Sequence, residues 1–335
     1  MERTESAQAG DGDVESPWRQ PDYVDPTAFD EREVTVGSGE FAVPGTLSMP
    51  RGDGPHPAVV LLAGGGPFDR EGTVGPNRIY RDIAWGLASR GTAVLRFDKV
   101  TLVHAEKVAA TPEFTMRDEY LPHALAGIEM LCAATSVDAE RVFVVGHSMG
   151  GKVAPLVAAA APALAGMVLL AADTQPMQWA MVRVLRYLAE LDPAYVAAFP
   201  SIDTIIEQAK LVDSQELSPT TPAAELPFGM SAAYWLDLRA YDPVAVAATL
   251  DKPMLILQGE RDYQTTVADD LIGWRTGLAD RPDVTIRTYA ADDHLFFPGT
   301  GPSAPADYQR SQHVDAEVVA DIAGWMESIL LGANG

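Results

Sequence analysis

The most constraining stretch of this chain is a short segment with a glycine at each end, Gly146-His147-Ser148-Met149-Gly150. The residues before it, Arg141-Val142-Phe143-Val144-Val145, are β-branched and aromatic, which predicts a buried strand. An alanine-rich stretch from Leu156 to Ala161 follows and predicts a helix. Passing from strand to helix over so few residues requires a very tight turn. Glycines at 146 and 150 remove the Cβ atoms that would collide across that turn.

This turn predicts a special role for Ser148. In a strand, G-x-S-x-G, helix arrangement the serine backbone is strained and its hydroxyl is exposed, at the positive end of the following helix. The pattern therefore favours a nucleophile elbow with Ser148 as the nucleophile. The alternative is a glycine-rich turn whose serine has no chemical role.

Composition limits the class of protein. The 335 residues are 47% hydrophobic, which suits one large α/β domain with an insertion, or two small domains. The formal net charge of −23 would repel phosphate backbones and anionic lipids, so we expect neither a nucleic-acid nor a membrane partner. Cys132 is the only cysteine, so no intrachain disulfide can form. We find no signal-peptide or transmembrane run and expect a cytoplasmic location.

The predicted elements alternate between strands and helices. Residues 1–30 are polar and acidic and are expected to form a flexible N-terminal arm, with attachment near Trp18 and Tyr23 as the alternative. Strands are predicted at 33–36, 45–49, 57–62, 92–97, 141–145, 167–171, 253–257 and 284–289. Helices are predicted at 78–90, 116–134, 156–161 and 316–331. This order favours a doubly wound, mostly parallel α/β sheet.

The strand pattern stops between residues 174 and 245, where helical periods are interrupted by prolines. We interpret this stretch as a helical cap inserted into a core of residues 31–173 and 246–335. The cap would cover the carboxyl ends of the strands, where ligands bind in open α/β sheets. Its candidate substrate contacts are large apolar side chains, with packing inside the cap as the alternative for each: Met177, Trp179, Phe228, Tyr234 and Trp235.

A serine nucleophile needs a base, and His294 is the best candidate of six histidines. It follows the last predicted strand directly, whereas His147 is expected to pack within the elbow. The group that orients the base should be Asp262, in the loop after the strand that ends at Leu257. The alternative for Asp262 is a turn or helix N-cap residue.

Negative charge on a tetrahedral intermediate needs two N–H donors. The residue after the nucleophile, Met149, should supply one. The other should come from the glycine-rich Gly64-Gly65-Gly66-Pro67 loop, with Gly65 as the first choice and Gly66 as the second, since proline cannot donate. A phosphate-binding loop is the alternative, but the Lys-Ser/Thr ending of a P-loop is missing.

The motifs together resemble the α/β-hydrolase superfamily, near the bacterial esterases of the dienelactone-hydrolase and prolyl-oligopeptidase-like branch. The resemblance covers residue 32 to the end and rests on Gly64-Gly65-Gly66-Pro67 with Asp69-Arg70-Glu71-Gly72, Leu95-Arg96-Phe97-Asp98-Lys99, Gly146-His147-Ser148-Met149-Gly150-Gly151, Leu257-Gln258-Gly259-Glu260-Arg261-Asp262-Tyr263 and Asp293-His294. It implies a Ser148–His294–Asp262 triad without a cofactor or metal.

Two departures from the family pattern affect the expected substrate range more than the triad. Ala63-Gly64 stands where such proteins often have His-Gly, and Val100-Thr101 follows Asp98-Lys99 where Arg-Gly often follows. Both changes would alter the rim of the pocket.

The leading functional hypothesis is a serine hydrolase that cleaves carboxylic esters through an acyl-Ser148 intermediate. With the same triad, a drier pocket would allow acyl transfer, thioester cleavage or lactone-forming cyclisation. A non-catalytic small-ligand-binding protein is the alternative of another class, and the intact set of Ser148, Asp262 and His294 argues against it. The expected partner is a small ester or thioester, and a homodimer remains open.

Overall fold

The computed structural model describes residues 18–332, and its centre is a twisted β-sheet. In chain order the strands are β1 Phe29–Val36, β2 Val43–Pro50, β3 His56–Leu62, β4 Thr73–Val74, β5 Asn77–Arg78, β6 Ala93–Phe97, β7 Val137–His147, β8 Gly166–Leu170, β9 Met254–Gly259 and β10 Val284–Tyr289. Within the described residues, eight strands form one sheet in the order β1-β2-β6-β3-β7-β8-β9-β10, and β4 pairs with β5 separately.

The sheet is mostly parallel, as the alternation of strands and helices predicts. β1 and β2 pair antiparallel at one edge, β2 meets β6 antiparallel, and all pairs from β6 to β10 are parallel. The order of the parallel strands places β3 between β6 and β7. The doubly wound α/β fold is therefore confirmed.

Helices cover both faces of the sheet. They are α1 Ile79–Ala88, α2 Val100–Val103, α3 Ala105–Ala109, α4 Met116–Cys132, α5 Met149–Ala160, α6 Met177–Leu191, α7 Ile202–Asp213, α8 Ala232–Ala240, α9 Pro243–Ala248, α10 Ile272–Gly277 and α11 Ala316–Gly332. Side chains of β3 alternate between the two faces, so that Val60 packs with α4 and α5 while Val59 packs with α1 and α11. Burial on both faces explains why the central strands are continuously apolar.

Residues 171–253, between β8 and β9, contain helices and turns without a strand. We call this stretch the helical segment. Its first helix, α6, contacts the loop that follows β9. Arg183 Nη2 donates a hydrogen bond of 2.7 Å to the Gln264 carbonyl, and the Tyr187 ring stacks on Tyr263 with 5.1 Å between centroids. The helical segment therefore packs against a loop at the carboxyl end of the sheet, and its role as a cap stays a prediction.

The described N-terminal residues, 18–30, pack against the rest of the chain, in agreement with the expected attachment near Trp18 and Tyr23. The Trp18 ring meets Trp85 edge-on at 5.2 Å, and its indole N–H donates to Asp82 at 3.1 Å. Val24 is buried, and β1 begins at Phe29. Aromatic side chains thus hold this segment against α1. The earlier part of the predicted arm lies outside the described residues.

Other differences concern short elements. The helices α2, α3 and α10, and a π-helical turn at Val267–Leu271, were not predicted, because pieces of four to six residues show no measurable period. The elbow strand β7 begins at Val137, four residues earlier than predicted. None of the helices within residues 18–332 combines the length and apolar character needed to cross a membrane.

Candidate active site

The segment between β7 and α5 forms a sharp turn at Ser148. This serine has φ 53° and ψ −121°, a conformation that side chains rarely adopt. Its N–H donates to the Leu170 carbonyl of β8 at 2.8 Å, which holds it there. A Cβ on Gly146 would lie 2.6 Å from the Gly151 nitrogen, and one on Gly150 would lie 2.6 Å from the Ala63 oxygen. Glycine is therefore required at both ends of the turn.

Asp262 and His294 meet in a buried hydrogen bond. The His294 Nδ1 lies 2.7 Å from Asp262 Oδ2, and both side chains are buried. The carboxylate also accepts from the N–H groups of Gln264 and Thr265 and from the Gln258 side chain, at 2.7, 2.9 and 3.0 Å. The carboxylate is the acceptor in all of these contacts, so Nδ1 carries the proton and Nε2 keeps its lone pair.

The electrostatic environment makes His294 a stronger base. Burial disfavours the imidazolium and would lower the pKa of His294, but the Asp262 carboxylate, aided by Asp293 and Asp173, outweighs burial, and the pKa is raised above its ordinary value. A neutral imidazole next to this carboxylate is well suited to accept a proton.

The loops after β9 and β10 meet because Gly259 permits a close approach. A Cβ at Gly259 would lie 2.5 Å from the carbonyl oxygens of Asp292 and Asp293. The Arg261 N–H donates to the Asp292 carbonyl at 2.9 Å and ties the two loops together. Asp262 and His294, which are 32 residues apart, are thereby brought into contact.

Three other carboxylates in the loops after β9 and β10 have different hydrogen-bond partners from Asp262. Glu260 accepts a hydrogen bond from the Thr288 hydroxyl at 2.7 Å, and Asp293 accepts two from backbone N–H groups of its own loop. Asp292 is buried, and neither of its carboxylate oxygens has a hydrogen-bond partner among residues 18–332. Burial, aided by neighbouring acidic groups, raises the pKa of Asp292 to about 7. Of these four acids, Asp262 is the one that hydrogen-bonds the His294 ring, as predicted from its place in the loop after β9.

The glycine-rich loop after β3 lies beside the nucleophile. A Cβ on Gly64 would be 3.3 Å from the Ser148 Cβ, and one on Gly65 would be 3.6 Å from the Met149 Cβ. The Gly65 N–H donates to no acceptor within the described part of the chain. Met149 is the first residue of α5, so its N–H has no partner inside the helix. The two N–H donors predicted from the sequence, those of Gly65 and Met149, are thus next to Ser148. Gly66 lines an adjoining cleft of about 370 Å³ together with Phe68 and Leu102.

His147 connects the glycine-rich loop after β3 to the loop that carries His294. Its Nε2 donates to the His294 carbonyl at 2.8 Å, which leaves Nδ1 to accept from the Tyr80 hydroxyl at 3.3 Å. The same hydroxyl accepts the Gly64 N–H at 2.7 Å. Burial lowers the pKa of His147 to about 3, so the ring stays neutral. Its position matches the predicted packed elbow residue. No motif signals Tyr80, which sequence reasoning missed.

The predicted substrate contacts of the helical segment have unequal surroundings. Phe228 is 55% exposed, and Trp179 is half-buried with its indole N–H donating to Asp213 at 2.6 Å. Trp235 has no exposed surface and packs in the core, and the buried Tyr234 hydroxyl is hydrogen-bonded elsewhere. Neither Tyr234 nor Trp235 therefore presents an open wall in this conformation.

The fold and this site together define the class of protein. A mostly parallel sheet, a strained serine between strand and helix, and an Asp–His pair on the loops after β9 and β10 are the features of a serine hydrolase with the α/β-hydrolase fold.

Comparisons with known proteins give the family. The family described as "Serine aminopeptidase, S33" matches residues 72–291, and the chain belongs to this family of the α/β-hydrolase superfamily. It is also similar to esterase EstD of Thermotoga maritima, with 38% identity over 306 residues that cover 91% of this chain and 69% of that protein.

Solved structures show the same fold. Est1E from Butyrivibrio proteoclasticus aligns with a TM-score of 0.57 at 16% identity, covering 89% of this chain and 99% of that one. A hyperthermophilic esterase from Pyrobaculum calidifontis aligns with a TM-score of 0.52 at 16% identity, covering 90% of this chain and 86% of that one. At such identities the likeness concerns the fold alone.

Proposed function

We propose that this protein hydrolyses carboxylic esters of small molecules, with Ser148 as nucleophile, His294 as base and Asp262 as the acid that orients it. The observation that carries the proposal is the 2.7 Å contact between Asp262 and His294, at the end of the sheet where Ser148 occupies its strained turn. The family, and the relative named an esterase, support the same class of reaction.

The proposed reaction follows from the proton positions. His294 Nε2 takes the hydroxyl proton of Ser148 as Oγ attacks the ester carbonyl carbon. The N–H groups of Gly65 and Met149 stabilise the resulting oxyanion. Collapse of the intermediate expels the alcohol, which receives the proton from His294, and leaves an acyl-serine. Water, deprotonated by the same nitrogen, then attacks the acyl carbon, and His294 returns this proton to Ser148 Oγ as the acyl–Oγ bond breaks and the acid is released.

The first prediction is that Ser148→Ala abolishes turnover while the fold is retained. Loss of a serine nucleophile in a comparable triad costs about 10⁶ in kcat. The measurement is hydrolysis of p-nitrophenyl acetate, butyrate and octanoate, together with covalent labelling by a fluorophosphonate. Ser38→Ala, at an exposed serine without a side-chain capping bond, is the matched control and should keep wild-type rates. One tenth of wild-type activity in a folded Ser148→Ala variant would remove Ser148 from the reaction.

The same assays separate the other hypotheses. A non-catalytic binding protein would not be labelled by the fluorophosphonate. Thioester substrates and added alcohols test thioesterase and acyl-transfer chemistry, because a transferase forms the new ester faster than the free acid. An aminoacyl p-nitroanilide tests peptidase activity, to which the family description points. A cytoplasmic location and a homodimer stay predictions from the sequence.

A further inference from the structure

A buried lysine, Lys99, contacts the glycine-rich loop. Lys99 is 4% exposed, and its ammonium group donates to the Gly64 carbonyl at 2.8 Å, to the Tyr120 hydroxyl oxygen at 2.9 Å and to Glu119 at 2.7 Å. An ammonium group has three donors, so every donor of Lys99 has a partner. The Tyr120 hydroxyl itself donates to the Gly64 carbonyl at 3.0 Å.

The Gly64 carbonyl is part of the same peptide group as the Gly65 N–H. This peptide bond is trans, since the described cis bond lies elsewhere, at Gly54-Pro55. In a trans peptide the carbonyl and the N–H point in opposite directions. Two donors that hold the Gly64 oxygen therefore also fix the direction of the Gly65 N–H, which points away from Lys99.

We propose that Lys99 is a positioning residue of the oxyanion hole, which aligns and polarises the Gly64–Gly65 peptide so that its N–H binds the developing oxyanion. A positive charge at the carbonyl oxygen withdraws electron density from the amide nitrogen and makes its N–H a stronger donor. In a buried site this charge is poorly screened, so the effect is larger than in water. The inference rests on the proposed ester hydrolysis and concerns one of its two N–H donors.

The same contacts connect the helical segment to the oxyanion hole. The Tyr234 hydroxyl of α8 donates to the second oxygen of Glu119 at 2.5 Å, and the first oxygen of Glu119 pairs with Lys99. A chain of hydrogen bonds thus runs from α8 through Glu119 and Lys99 to Gly64. Tyr234, proposed from sequence as a substrate contact, acts here through the position of Lys99.

A second buried ion pair gives a matched control. Lys152 pairs with Asp173 at 2.7 Å, its side chain is 4% exposed, and it also donates to the Gln175 carbonyl. Its side chain has no hydrogen bond to the glycine-rich loop in the described structure. Removal of either lysine leaves a carboxylate without its countercharge, Glu119 for Lys99 and Asp173 for Lys152. Of the two lysines, Lys99 is the one that hydrogen-bonds the Gly64–Gly65 peptide group.

The test compares Lys99→Met with Lys152→Met on one p-nitrophenyl ester, with rates expressed per site labelled by a fluorophosphonate. We expect kcat of Lys99→Met to fall about 10- to 100-fold with KM almost unchanged. This fall is smaller than the one caused by removing an oxyanion-hole donor altogether. Lys152→Met should lose thermal stability but keep its rate per labelled site. Should Lys99→Met fail to fold, Tyr120→Phe removes only one hydroxyl donor, and a smaller fall in kcat is expected.

Two inhibitors separate positioning from a structural effect. A trifluoromethyl ketone forms an anionic adduct with the serine, whereas the matching methyl ketone binds uncharged. In Lys99→Met the inhibition constant of the trifluoromethyl ketone should rise by the same factor as kcat falls, and that of the methyl ketone should stay constant. The inference about Lys99 would be overturned if the inhibition constants of both ketones rose equally, or if kcat of Lys99→Met and Tyr120→Phe stayed within twofold of wild type. Either result would leave the proposed ester hydrolysis standing. A wild-type protein inactive on every ester would overturn the proposed function as well.

Discussion

At the scale of single residues, the site combines a strained serine with a histidine whose ring is held by one aspartate. A non-glycine residue in the conformation of Ser148 costs on the order of 1–3 kcal/mol. The neighbouring strand imposes it through the bond from Ser148 to Leu170, and glycines leave room for the turn. The Asp262 carboxylate, fixed by other donors, in turn fixes the tautomer of His294. In the proposed reaction, the geometry at these residues leaves Nε2 of His294 to accept the proton.

The second prediction concerns Asp262→Asn, which should lower kcat by roughly 10⁴ because the amide favours the wrong imidazole tautomer. His294 must be neutral to accept a proton. Its raised pKa places the acidic limb of the wild-type kcat/KM profile above pH 6.5, the ordinary value for histidine. Removing the carboxylate that raises this pKa should move the limb to lower pH. The measurement is kcat/KM of both proteins between pH 5 and 9.

Asp293→Asn is the control, since its carboxylate binds backbone N–H groups of the loop and has no hydrogen bond to the ring among the described residues. It should change the rate far less than Asp262→Asn, although its melting temperature should fall. A folded Asp262→Asn enzyme with near wild-type turnover, beside a crippled Asp293→Asn, would move the orienting acid to the histidine loop.

At the scale of elements, α6 fastens the helical segment to the loop after β9. Arg183 pairs with Asp270 and Asp269, at 2.8 Å each. Asp270 has no exposed surface and also accepts the N–H groups of Thr174 and Thr266. Because this loop also carries Asp262, the position of α6 and the position of the acid are linked.

The third prediction is that Arg183→Met destabilises the protein by about 1–3 kcal/mol, because Asp270 stays buried without its countercharge. The Arg183 side chain is itself 24% exposed, which keeps the effect below that of a fully buried pair. Lys210→Met removes an exposed pair with Glu207 and should change stability by less than about 0.5 kcal/mol. Urea unfolding of both variants measures the difference. Equal stabilities would show that Arg183 does not fasten α6.

At the scale of the whole molecule, charge is the dominant property. The sequence has 47 acidic and 24 basic residues, for a net charge of −23. Such an excess creates a negative field that extends about one Debye length into solvent, roughly 10 Å at 0.1 M salt. Approach of anionic substrates to the site is therefore disfavoured at low ionic strength.

The fourth prediction compares p-nitrophenyl hemisuccinate with p-nitrophenyl butyrate at 10 and 200 mM salt. The value of kcat/KM for the anionic ester should rise several-fold with salt, because screening weakens the repulsion. The neutral ester should show little change and serves as the control. A fall in kcat/KM for the anionic ester on adding salt would reveal a local positive potential at the site that the net charge hides.

Prediction from the sequence succeeded where a pattern is local. The strand from Val284 to Tyr289 has the predicted bounds, and α11 begins at the predicted Ala316. The glycines of Gly146-His147-Ser148-Met149-Gly150 and the position of His294 after a strand indicated Ser148 and His294 as candidate site residues. Short helices such as α2, by contrast, are stabilised by surrounding packing and leave no periodic signal.

The sequence alone determined the alternation of strands and helices, the tight turn at Ser148 and the order of the candidate residues along the chain. These follow from side-chain period and from the steric freedom of glycine, which act over a few residues. Asp262 was predicted from the sequence, but its hydrogen bond to the His294 ring is formed only by the tertiary structure. The tertiary structure alone placed Lys99 against Gly64, 35 residues away. Contacts of this kind depend on how distant loops approach in space, which no local pattern encodes.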